Sequence, residues 1–150
     1  METACCASVE ALYQELTLTS GFSITDSGNS IQSPWGYSPN YLLMMDRDFN
    51  RAHEKAVLFG AGCDFSKLVA QGLSATFNFA TGWDAINPRT RASAPDQREY
   101  DLTVDARPPW RTPAFLQGWW LRVRGGILDR EGARVGWQVR LILNWERDLF

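Results

Sequence analysis

The sequence predicts an all-β fold: an antiparallel up-and-down meander of about six strands, forming a partial transmembrane β-barrel. Three observations lead there. Apolar and polar residues alternate with period two through most of the chain, the spacing of strands with two unlike faces. Clusters of Pro, Gly and Asn punctuate the rows, as turns require. Aromatic residues gather toward the ends of the rows.

The first strand spans about 12–24, where Leu16, Leu18, Phe22 and Ile24 alternate with Thr17, Thr19, Gly21 and Ser23. The second, about 54–65, sets Val57, Phe59, Ala61, Cys63 and Phe65 against small residues such as Gly60 and Gly62. In the third, about 73–82, Leu73, Ala75, Phe77 and Phe79 alternate with Ser74, Thr76 and Asn78. The fourth, about 98–107, sets Tyr100, Leu102, Val104 and Ala106 against Asp101, Thr103, Asp105 and Arg107. The fifth, about 118–128, has Trp119, Leu121 and Val123 opposite Arg122 and Arg124 before Gly125 and Gly126 loosen the pattern. The sixth, about 135–146, is the clearest: Trp137, Val139, Leu141, Leu143 and Trp145 alternate with Gln138, Arg140, Ile142 and Asn144. Residues 1–11 stay unassigned, with only a short stretch of helical spacing near 2–13. The remainder, 12–150, is one barrel portion with a long loop at about 25–53.

Composition removes other classes. Fifteen Lys and Arg against 17 Asp and Glu leave a formal charge of −2, which excludes a polybasic nucleic-acid coat though not a local basic stripe; no nucleic-acid partner is expected. Hydrophobic residues make up 45 % of the chain, too many for global disorder. No run approaches the roughly 20 apolar residues of a membrane helix. That excludes a helical membrane protein but not a barrel, whose lipid face uses alternate residues. Cys5 and Cys6 are adjacent and Cys63 is distant, which makes neither a disulfide framework nor a zinc site. His53 is the single histidine, and any nucleophilic triad would have to use it. No catalytic set, metal or cofactor is expected.

A soluble sandwich would bury the apolar rows, whereas a barrel would turn them to lipid and line a lumen with the polar rows. Running the last strand toward the periplasm and alternating backwards places Phe65, Trp119 and Trp145 near periplasmic strand ends. Trp83, Tyr100 and Trp137 then fall near extracellular ends, and all six are in phase with their own apolar rows. Two aromatic belts flanking an aliphatic band suit membrane interfaces. The same count makes 66–72 and 108–117 periplasmic and 25–53, 83–97 and 129–134 extracellular, with the apolar piece Tyr41 to Met45 part of a folded outer loop. The alternative is a soluble β-sandwich or small-barrel carbohydrate-binding module whose exposed Trp residues stack on sugars. An enzyme on a β-barrel is the least supported class.

The stretch Ser33-Pro-Trp-Gly-Tyr-Ser-Pro-Asn-Tyr-Leu, followed by Asp48-Phe-Asn-Arg-Ala-His-Glu-Lys-Ala, resembles the OprD family of outer-membrane porins. Gly72-Leu-Ser-Ala-Thr, Asp96-Gln-Arg-Glu-Tyr-Asp-Leu-Thr-Val-Asp and Gln138-Val-Arg-Leu-Ile-Leu-Asn-Trp fit the C-terminal third of that family in order, so the resemblance covers about residues 12–147. It implies a fragment of a barrel of about eighteen strands, in the outer membrane of a Gram-negative bacterium. It also implies passive, substrate-selective diffusion of small carboxylates, amino acids or peptides, and a homotrimer in some members. The expected partners are outer-membrane lipid, those solutes, and the barrel-insertion machinery reading the C-terminal strand. Phe150 is the terminal aromatic such machinery favours, although Glu146 and Asp148 interrupt the alternation leading to it. Cys63 on the lipid face and the Cys5-Cys6 pair depart from the family pattern. The missing signal peptide fits a truncated chain.

Arg107, Arg122, Arg124 and Arg140 share the polar face of three consecutive strands. If that face is a lumen, they form a basic track that guides carboxylates, because a narrow wet channel focuses the field of fixed charges. The family resemblance implies such an arginine ladder. The alternative is cross-strand pairing with Glu99, Asp101 and Asp105, which would stabilise the sheet and nothing more. Opposite the track, Asp46 and Asp48 in the long loop, with Tyr41 beside them, are candidates for the acidic side of a constriction; the alternative is that they are solvated loop residues.

Overall fold

The computed structural model describes residues 4–28, 30, 42, 44–108, 113 and 118–146. These form seven strands: β1 (Ala4–Tyr13), β2 (Leu16–Thr25), β3 (Lys55–Asp64), β4 (Leu73–Trp83), β5 (Gln97–Ala106), β6 (Trp119–Arg130) and β7 (Gly136–Trp145). They make one sheet in sequence order, every neighbouring pair antiparallel. β1 and β7 are its two edges, so the described sheet is open.

The alternation of β2 to β7 is therefore the strand pattern the sequence displays. β1 is a correction: the segment left unassigned, with its hint of helix, is a strand paired with β2 from Ala4↔Thr25 to Tyr13↔Leu16. The strand expected at 12–24 is thus split by the two-residue turn Gln14-Glu15, where Gln14 has φ of 54°. A left-handed residue at such a turn matches the twist of the flanking strands.

The ladder registers place Leu16, Leu18, Phe22 and Ile24 of β2 on the same face as Phe59 of β3, Phe77 of β4, Leu102 of β5, Val123 of β6 and Leu141 of β7. This outward face carries no second layer among the described residues: Trp137 is 78 % exposed and Leu141 72 %. A soluble protein seldom leaves apolar patches above a few hundred Å² open to water. A sandwich would have covered this face, and that alternative has no counterpart here.

The opposite, inner face is where burial occurs, and only toward the end of the sheet that carries the long β2–β3 loop. Leu42, Met44 and Phe49 from the loop pack with Ala56 and Leu58 of β3 and Ala80 of β4. Leu42 and residues 44–52 fold back across the inner face. Small wall residues permit this. Leu42 Cδ1 lies 3.5 Å from where a side chain on Gly21 would begin. At the opposite end the β1–β2 turn has two residues and the β3–β4 turn eight. Gly72 ends one of them with φ of 80°, and its carbonyl accepts the Arg107 N–H at 2.8 Å.

Candidate functional site

The inner face is best followed row by row along the ladders. From the middle of the sheet toward the short-turn end, one row runs Thr19, Gly60, Asn78, Asp101, Gly126, Gln138. The next runs Thr17, Gly62, Thr76, Thr103, Arg124, Arg140. The one after includes Asp64, Ser74, Asp105, Arg122 and Ile142. Apart from Asp64 at the end of β3, the polar residues that β2 to β4 give these rows are neutral and short, while β5 to β7 carry nearly all the charge. Period two alone forces this: one slip of register would exchange the faces.

Three of the four arginines singled out from the sequence stand on this face within strands. Arg124 and Arg140 are directly opposite each other across the β6–β7 ladder. Arg124 Nη2 is 3.9 Å from Asp101 Oδ2, and Arg140 Nη2 donates to the Met45 carbonyl at 2.9 Å and to Gln138 Oε1 at 3.1 Å. Arg122 makes a bidentate pair with Asp105, Nε to Oδ1 at 2.6 Å and Nη2 to Oδ2 at 2.8 Å. Arg107, just past β5, stacks its guanidinium 4.8 Å above the Trp120 ring, and that of Arg122 lies 5.1 Å from the same ring. Trp120 is an inner-face aromatic not among the candidates read from the sequence; its Nε1 donates to Glu146 Oε1 at 2.9 Å.

The loop residues divide. Asp46 is exposed on the inner side, beside Arg47 at 3.3 Å, and its carboxylate accepts from Gln138 Nε2 at 3.3 Å. Asp48 is exposed in the same turn of chain. Tyr41 lies outside the described residues, as do Asp148 and Phe150. What the sequence did not disclose is the anchorage. Asp101 Oδ2 accepts the Met45 N–H at 2.6 Å, and the two Glu99 oxygens accept the N–H groups of Asp46 at 2.6 Å and Arg47 at 2.9 Å. Both carboxylates are buried, Glu99 at 0 % and Asp101 at 2 % exposure. A second attachment joins Arg51 to Glu54 through Nη2 to Oε1 at 2.6 Å, with Gln97 Nε2 reaching the same Glu54 oxygen at 3.2 Å.

The six aromatics expected at the strand ends lie as follows. Trp119 and Trp145 face each other at the short-turn end, ring centroids 6.3 Å apart, and Phe65 immediately follows β3 there. Trp83 closes β4 and Trp137 is the second residue of β7 at the other end. Tyr100 is the fourth residue of β5, its ring 4.9 Å from Phe79. His53 lies in the loop with its Nδ1 3.2 Å from the Asp84 carbonyl oxygen. Among the described residues no group of three or more His, Cys, Asp or Glu could hold a metal ion.

No protein-family model matches the chain, and no curated protein matches it in sequence. Solved structures do match. The fold is similar to the outer membrane protein OpdK of Pseudomonas aeruginosa, with TM-score 0.85 and 19 % identity over 96 % of this chain and 38 % of that one. It is similar to OccK9 (OpdG) of the same organism, with TM-score 0.85 and 22 % identity over 96 % and 36 %. It is similar also to OccK3 (OpdO) of that organism, with TM-score 0.86 and 17 % identity over 99 % and 40 %. The chain spans about two fifths of the length of these proteins. The open meander is thus the fold of a portion of an outer-membrane barrel, as the alternation predicts.

Proposed function

We propose that this chain is a wall segment of an outer-membrane porin, through which small solutes diffuse passively and carboxylates are favoured. The observation that carries the reading is Arg124 directly opposite Arg140 on the inner face. Like charges directly opposite one another weaken a sheet, so the pair makes sense where anions visit it. Arg122 and Arg107 continue the positive line toward the short-turn end, beside Trp120. On the other face the apolar residues meet outer-membrane lipid, and Phe65, Trp83, Tyr100, Trp119, Trp137 and Trp145 lie toward its two interfaces. One neighbouring structure is of OpdK with vanillate, a carboxylate, which fits the same solute class. The proposal includes amino acids or peptides carrying a free carboxylate, recognition of the C-terminal strand by barrel-insertion machinery, and assembly as a homotrimer. It involves no covalent step and no cofactor.

Liposome swelling tests it. In the assembled barrel, replacing Arg122, Arg124 and Arg140 with Ala is expected to slow entry of small carboxylates more than of size-matched neutral solutes, because only the former feel the wall potential. Added salt is expected to shrink the same difference in the unsubstituted barrel. Equal losses for both solutes would mean the arginines only hold the sheet together.

A further inference from the structure

Two glycines on the inner wall sit under the folded-back loop. A side chain on Gly126 of β6 would begin 2.8 Å from Asp101 Oδ1 and 3.5 Å from Met45 Sδ. One on Gly82 of β4 would collide with the Glu54 carboxylate and come 2.8 Å from Phe49 Cδ1. Glycine inside a strand lowers its stability and marks a close approach of another chain segment. Each glycine here lies where a buried carboxylate meets the loop: Asp101 beside Gly126, Glu54 beside Gly82. The three successive N–H groups of Met45, Asp46 and Arg47 all point at Glu99 and Asp101. Consecutive amide groups converging on a carboxylate form an anion-binding concavity. The occupant of this concavity is supplied by the wall itself.

We propose that Glu99, Asp101 and Gly126 are positioning residues that clasp the loop into the lumen. They set the aperture without belonging to its charged lining. Glu99 and Asp101 hold the loop backbone through short hydrogen bonds, while Gly126 gives the Met45 side chain its seat. Arg140 closes the clasp from β7 by donating to the Met45 carbonyl. Three of the four carboxyl oxygens accept amide groups and both residues are withdrawn from solvent, so a passing anion meets Asp46, Asp48 and the arginines instead. The aperture statement rests on the pore reading above; the clasp itself does not.

The test is amide hydrogen exchange on the full chain refolded in detergent micelles, with strand amides as the internal measure of folding. The Met45, Asp46 and Arg47 amides are expected to exchange slowly in the parent chain. Glu99→Gln removes one of two acceptor oxygens, so one of the Asp46 and Arg47 amides is expected to exchange roughly tenfold faster or more, with Met45 still protected. Gly126→Val keeps both carboxylates but fills the seat, and is expected to release the Met45 amide by a similar factor. Unchanged protection at all three amides in both variants would overturn the proposal, as would rapid exchange there in the parent chain. Release by Glu99→Gln but not by Gly126→Val would remove Gly126 from the clasp and overturn it as stated. A parent barrel that holds these amides but conducts nothing would sink the pore reading and leave the clasp standing.

Discussion

Asp105 and Arg122 stand directly opposite each other across the β5–β6 ladder and share two hydrogen bonds, of 2.6 and 2.8 Å. A fork-to-fork pair of this kind uses two of the guanidinium's five N–H donors and offsets its charge. One ladder row farther in, Arg124 faces Arg140, and the nearest carboxylate oxygen of Asp101 is 3.9 Å from Arg124. The basic wall is therefore uneven, partly offset by Asp105 at Arg122 and strongest at the Arg124–Arg140 pair.

Asp105→Asn should expose that difference. Removing the carboxylate leaves Arg122 charged without its partner, so the assembled barrel is expected to admit small carboxylates faster, with neutral solutes unaffected. Swelling rates at low salt measure it. A slower carboxylate rate would mean that Asp105 holds Arg122 in the only position where it helps.

The turn glycines predict graded losses of stability. Gly118 has φ of 82° and Gly132 φ of 73°, but a side chain on Gly118 would run into the Glu146 carbonyl, whereas Gly132 has open space around it. Gly132→Ala carries only the left-handed backbone penalty, roughly 1 kcal/mol. Gly118→Ala adds the collision and is expected to cost clearly more, roughly 2–3 kcal/mol in all. Urea unfolding in micelles, compared between the two variants, gives the answer, and equal losses would contradict the close approach.

At the short-turn end, Lys67 Nζ lies 2.7 Å from Glu15 Oε1 and ties the β3–β4 turn to the β1–β2 turn. The hydrogen bond from Lys67 holds the Glu15 carboxyl below its usual range, and the same bond raises the Lys67 ammonium. A depressed carboxylate contributes above its unfolded value and is lost as pH falls through the folded one; a raised ammonium contributes below its unfolded value and is lost as pH rises through the folded one. The tether is thus expected to hold through neutral pH and to release in acid below the ordinary carboxylate range. Lys67→Met should return the Glu15 titration, followed by carboxyl NMR, toward its ordinary midpoint.

Much of this architecture is legible in the residues, and the exceptions have physical reasons. From β2 to β7 the contrast between a residue such as Leu141 and one such as Arg140 is large, so period two reveals both strand and face. β1 escapes because Ala4, Cys5, Cys6 and Ala7 are all small, and Leu12 puts an apolar residue on the inner side. The loop's inward course escapes for a different reason. Its seats are glycines, and Gly126 reads in sequence as a weak point in a strand. Likewise Glu99 and Asp101 read as partners for arginines across the sheet. Asp101 does lie 3.9 Å from Arg124, but the hydrogen bonds of both residues go to backbone groups more than 50 residues away, which side-chain chemistry alone does not announce.

Both edges of the sheet leave backbone N–H and C=O groups without ladder partners, and exposed edges template association. Together with the uncovered outward face, this predicts that the chain aggregates in water and disperses in detergent. Light scattering across the detergent's critical concentration checks it. A monodisperse species in detergent-free buffer would contradict the uncovered face.

Seven is an odd number, and in an antiparallel meander that has a topological consequence. β1 and β7 run in the same direction, so joining the two edges directly would demand a parallel seam. Copies of the sheet standing side by side in one membrane orientation meet β7 to β1 and face the same mismatch at every junction. Closure with antiparallel seams throughout requires an odd number of additional strands, beginning and ending opposite in sense to β1 and β7. The parity of the strand count thus selects a complementary wall of different make-up over a ring of identical ones.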